Sequence, residues 1–74
     1  MKTITITDSN GTKHNFNPKY VVDYYTVPAK DDLIVVTIIF SKDSGIHPNI
    51  FTKVCTKVET MEVLSEIKQA IDTI

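Results

Sequence analysis

Polar and apolar residues alternate from Lys2 to Asp8, with Ile4 and Ile6 on one side and Thr3, Thr5 and Thr7 on the other. A period of two in β-branched residues predicts a strand. Ser9-Asn10-Gly11 follows, and Asn and Gly tolerate the positive φ of a tight hairpin. Lys13 to Phe16 returns as a short second strand, interrupted by Asn17-Pro18, because proline has no N–H for a ladder. Tyr20 to Val27 predicts a third strand ending at Pro28, and Lys30-Asp31-Asp32 a polar turn. Leu33 to Phe40 is a strand apolar on both faces. Ser41 to Asn49, with Gly45 and Pro48, is a loop, and Ile50 to Val58 alternates again. After Glu59 the period lengthens: Leu64, Ile67, Ala70, Ile71 and Ile74 recur at helical spacing. A helix from about Met61 to Asp72 follows, with Thr60 as N-cap and Glu62 and Glu66 favouring its N-terminal half.

These elements predict an α+β fold in one domain spanning 1–74: a four- to five-stranded antiparallel β-meander followed by one C-terminal amphipathic helix packed on one face. The helix is expected to lie against Ile4, Ile6, Val54 and one side of Leu33–Phe40. A strand wetted on its other face should alternate, and Leu33–Phe40 does not. Sheet curling, a loop folding back or a second copy of the chain could shield that face. With short loops and one helix, a homo-oligomer, dimer or higher, is favoured. The residues expected at an oligomer or partner interface are Tyr24, Ile34, Val36, Ile38, Phe40 and Phe51.

Size sharpens this expectation. A chain of 74 residues buries only about 60% of its unfolded surface, and small domains often add disulfides, metals or partners. Cys55 is the only cysteine, which excludes an internal disulfide and suits a reducing cytoplasm. The alternation of Met1 to Ile6 is unlike a signal peptide, and the longest apolar run is too short to span a bilayer. Net charge is −1, and there is no arginine. Missing the bidentate fork that reads phosphate and guanine, the composition argues against sequence-specific nucleic-acid binding and phosphate-cradling enzymes.

Candidate chemistry is sparse. Cys55 shares a predicted strand face with Lys53 and Lys57, and two nearby cations would favour its thiolate. Nucleophilic catalysis also wants a base, for which only His14 and His47 are on offer, so Cys55 reads first as a packing residue. Neither histidine has a Cys or carboxylate at a recognisable ligand spacing, and Asp31-Asp32 is explained by turn chemistry. No catalytic residue, metal ligand or cofactor is assigned. Tyr20, Tyr24 and Tyr25 invite a base-stacking reading with lysines alongside. PC-four-type transcriptional coactivators do this with a similar ββββα topology, but their strongly basic strands have no match here, and adjacent Tyr24 and Tyr25 face opposite sides.

Asn10-Gly11, Asn17-Pro18-Lys19-Tyr20-Val21-Val22 and Val58-Glu59-Thr60-Met61-Glu62-Val63-Leu64 with Ile67 occur in an order that resembles the small FlbD-type flagellar proteins and similar short proteins of bacteria and bacteriophages. The chain departs from that pattern in its longer, more apolar Leu33–Phe40 strand and in Ser41–Asn49, which replaces a tight Asn-Gly turn. The resemblance implies a compact module working by protein contact in the cytoplasm of a bacterium or a phage-infected bacterium. It brings no catalytic residues.

Three functions follow as expectations. The first is a non-enzymatic interaction module, of the phage or bacterial type the resemblance implies, that self-associates through its sheet and binds or regulates a protein partner. The second is single-stranded nucleic-acid binding through Lys13, Lys19, Tyr25, Lys53 and Lys57. The third is a phage counter-defence protein holding a small ligand between protomers.

Overall fold

The computed structural model describes residues 3–8 and 10–73. Lys2, Ser9 and Ile74, assigned above to the first strand, its turn and the helix face, lie outside the described residues, as does Met1. The chain forms β1 (Ile4–Thr7), β2 (Lys13–Phe16), a 3-10 turn (Pro18–Tyr20), β3 (Val21–Pro28), β4 (Ile34–Phe40), a second 3-10 turn (Lys42–Ser44), β5 (Ile50–Cys55) and helix α1 (Lys57–Asp72). The architecture is α+β with antiparallel strands and one C-terminal helix, as expected.

The strands divide into two sheets. β1 pairs with β2 alone, and β3-β4-β5 forms a three-stranded sheet with β4 at its centre. The division falls at Asn17-Pro18. Asn17 accepts a hydrogen bond from the Lys19 N–H, Pro18 is buried, and the chain turns through a 3-10 segment before β3 begins. The first hairpin closes where the Gly11 N–H donates to the Asp8 carbonyl, with Gly11 at φ 84°. The second closes on Asp31 and Asp32 at φ 58° and 61°, where the Leu33 N–H donates to the Lys30 carbonyl. Positive φ at both central residues is the geometry of a type I′ turn.

Strand and helix boundaries at the C-terminal end differ from expectation. The last strand stops at Cys55 rather than Val58, and the helix starts at Lys57 rather than Met61. Thr56, not Thr60, is the N-cap: its hydroxyl accepts from the Glu59 N–H while the Glu59 carboxylate accepts from the Thr56 N–H. This reciprocal capping box outweighs the continuing alternation through Val58. Thr60 is instead buried in the first turns, its Oγ1 donating to the Thr56 carbonyl.

The core lies between the sheets. Ile4, Ile6 and Phe16 from the first hairpin meet Ile38 and Phe40 of β4, and Ile67 and Ala70 of α1 close the third side. Phe16 packs against Phe40 and Phe51 at centroid distances of 4.7 and 5.1 Å. The helix also crosses to β1, where the Glu66 carboxylate accepts from the Thr5 N–H at 3.0 Å. This placement overturns part of the expected interface. Ile38 and Phe40 belong to the chain's own core, Val36 is buried as well, and Tyr24 and Phe51 pack against that core. Sequence alternation separates the two faces of β4 but leaves open which one the helix and first hairpin cover.

Candidate interaction face

Residues opposite one another in an antiparallel pair share a face. Across the three-stranded sheet, the rows Tyr24/Ile38/Phe51, Thr26/Val36/Lys53 and Pro28/Ile34/Cys55 point inward. The alternate rows are Asp23/Ile39/Ile50, Tyr25/Thr37/Thr52 and Val27/Val35/Val54. They form the outer face, and neither the helix nor the first hairpin covers it. Val54, expected beneath the helix, lies here at 48% exposure, beside Val27 at 45% and Ile50 at 43%. Tyr25 is also exposed, while Thr37 at the centre is buried. A row of three valines and a pair of isoleucines, on either side of Tyr25/Thr37/Thr52, is unusual for an open sheet face meeting only water.

Of the expected interface residues, Ile34 is half-buried on the inner face with Val36, Ile38, Phe40, Tyr24 and Phe51. None of the six lies on the outer face. The residues that do, Val27, Val35, Ile39, Ile50 and Val54, are the other half of the same β-branched alternation, legible as a set but not as the outer one.

The nucleic-acid set is not brought together. Lys53 points inward, its side chain 15% exposed and its ammonium 3.8 Å from Glu59. Tyr25 faces outward, Lys19 lies over the Tyr20 ring, Lys13 is exposed on β2 and Lys57 opens the helix. A stacking platform needs its aromatic ring and cations along one groove, and these residues lie on different faces and elements.

Cys55 is buried on the inner face, and burial pushes its thiol above the ordinary range, with Lys53 opposing and Glu59 reinforcing the shift. Desolvation disfavours the thiolate more than the nearby cation favours it. Lys57, expected on the same strand face, belongs to the helix.

The most organised polar group is on the first hairpin. Asp8 accepts from the N–H groups of Asn10 and Thr12, and its other oxygen meets His14 Nε2 at 2.8 Å. The hydrogen bond with His14, then that with Thr12, holds the Asp8 carboxyl below its usual range. The imidazole stacks on Phe16 and tilts against Phe51. This group fastens the turn to the core's aromatic edge, with ring packing on one side and the carboxylate on the other.

Among the described residues, no three His, Cys, Asp or Glu side chains gather as a metal site requires, and no ligand-sized pocket forms. No helix among them is long and apolar enough to cross a membrane. Comparison with protein-family models, with curated proteins and with solved structures finds no match.

Proposed function

We propose that this protein is a small non-enzymatic interaction module that self-associates through its three-stranded sheet and uses the sheet's outer face to bind or regulate another protein. One observation carries the reading: on the outer face the apolar rows Val27/Val35/Val54 and Ile39/Ile50 flank Tyr25/Thr37/Thr52, and Val27, Ile50, Val54 and Tyr25 stay exposed, with neither the helix nor the first hairpin over them. Burying apolar surface contributes about 25 cal/mol per Å², so a contact over these side chains provides a substantial part of an association energy. The thin margin of a domain this small favours the same outcome.

Light scattering over a micromolar concentration series tests self-association. A mass above that of the 8.3 kDa chain, rising with concentration, is expected. A strict monomer throughout the series removes the self-association half of the proposal.

A further inference from the structure

The three-stranded sheet has two edges, and the chain treats them differently. Ladder phase shows how. The Phe40 N–H donates to the Asn49 carbonyl, so Phe40, and with it Ile38, Val36 and Ile34, direct their backbone groups toward β5. On β5, Phe51, Lys53 and Cys55 answer them, which leaves the N–H and C=O groups of Ile50, Thr52 and Val54 directed to the free edge. By the same phase, fixed by the Ala29 N–H donating to the Leu33 carbonyl, Tyr24, Thr26 and Pro28 face outward from β3.

β3 is blocked against strand addition. The Tyr24 N–H is already taken by the Asp23 carboxylate at 2.8 Å, Pro28 has no N–H, and a bulge interrupts the register between Val21 and Asp23. These are familiar ways of disarming an edge. β5 has no bulge and no proline, and among the described residues no backbone group meets Ile50, Thr52 or Val54 from the free side. One protective feature remains, the inward charge of Lys53, which a docking strand would bury. Here Glu59 faces that ammonium from the helix, so docking does not leave it unpaired.

We infer that the contact between copies is an antiparallel β5–β5 pairing about a two-fold axis at Thr52, joining two three-stranded sheets into one of six strands. This deepens the self-association proposed above and rests on it. The strand is self-complementary in this register. With Thr52 opposite its symmetry mate, Ile50 lies opposite the partner's Val54, and all three outward-directed residues exchange ladder bonds. Phe51 then lies opposite the partner's Lys53. A shift by one pair toward the C-terminus would set the two Lys53 side chains directly opposite, and like charges so placed repel. The outer apolar rows of both copies become one continuous surface, left open for a different protein.

Thr52→Pro tests this directly, because it removes an N–H used only at the free edge and leaves the β4–β5 ladder intact. Two hydrogen bonds are lost per dimer, so dimerisation should weaken by about 30-fold, with the helical circular dichroism retained. Thr52→Cys in a Cys55→Ser background gives a second reading. Paired Cα atoms about 5.5 Å apart are within disulfide reach, so mild oxidation should yield a covalent dimer. An unchanged dimer in folded Thr52→Pro, or no disulfide at position 52 in a protein that still dimerises, overturns the β5 pairing while leaving self-association standing. A wild-type chain that is monomeric throughout the concentration series overturns both.

Discussion

The two faces of β4 have nearly the same composition and opposite fates. Val36, Ile38 and Phe40 are buried by the chain itself, Ile38 and Phe40 in one core with Phe16 of the first hairpin and Ile67 and Ala70 of the helix. Val35 and Ile39, one residue out of phase, look out between exposed valines and Ile50. What separates them is which side the Asn17-Pro18 turn and the Thr56 cap send the rest of the chain to. Apolar alternation specifies a pair of faces, and connections choose the inside.

The sharpest way to break this contrast is to shorten one side chain on each face. Ile38→Ala should cost about 2–5 kcal/mol in urea unfolding, the usual range for a fully buried aliphatic truncation. Ile39→Ala should cost less than about 1.5 kcal/mol at concentrations where the chain is monomeric. Equal losses at low concentration would show the outer face to be as well covered as the inner one.

A smaller effect tests what holds the inner cover in place. Thr56→Ala removes one half of the capping box and should cost about 1 kcal/mol. Because Cys55 lies beside this cap, the variant should also label faster with iodoacetamide than the wild type. Unchanged labelling would mean that the helix start does not guard the inner face.

The two hairpin turns offer a milder comparison. Gly11 takes its positive φ without steric cost, whereas Asp31 and Asp32 both carry side chains into the left-handed region. Replacing them with Asn-Gly should stabilise the protein by about 0.5–1 kcal/mol in thermal unfolding, with no change in association. A loss of stability would show that the aspartates contribute something the turn geometry does not require.

The smallest effect is on pH. Asp8 and Glu59 both titrate below their ordinary range, Asp8 chiefly through its bond with His14 and Glu59 chiefly through the Thr56 N–H. A depressed carboxyl stabilises the fold above its unfolded value, and that contribution fades as pH falls through the folded one. Acid unfolding should therefore set in below about pH 4, and Asp8→Asn should flatten part of that limb in a melting-temperature profile. An unaltered acid limb in Asp8→Asn would remove this pair from the account.

Much of the fold was legible from residue pattern. The five strand segments, four by alternation or short length and Leu33–Phe40 by its β-branched run, the Asn10-Gly11 turn and the helical spacing of Leu64, Ile67, Ala70 and Ile71 are local signals, and each led to the right kind of element. The helix start was legible too, as Thr56 followed three residues later by Glu59, but strand-like alternation through Val58 ran across the same stretch. Local capping prevailed because it satisfies backbone groups that an extended strand end would leave to water. The candidate face was only half legible. Its residues stand out as a two-sided apolar strand, yet the six expected at the interface all lie on the inner face, Val36, Ile38 and Phe40 buried and Tyr24, Ile34 and Phe51 half-buried.

The sequence by itself determined the element types, the antiparallel order and the presence of more apolar surface on Leu33–Phe40 than one helix can cover. Those are properties of near neighbours, set by backbone sterics, turn chemistry and side-chain period. The tertiary structure decided that the first hairpin forms its own sheet, which face of β4 is inside, and which sheet edge remains free. These depend on where a turn directs the following ten or more residues. Single-chain periodicity is symmetric between the two sides of a strand, and only packing breaks that symmetry.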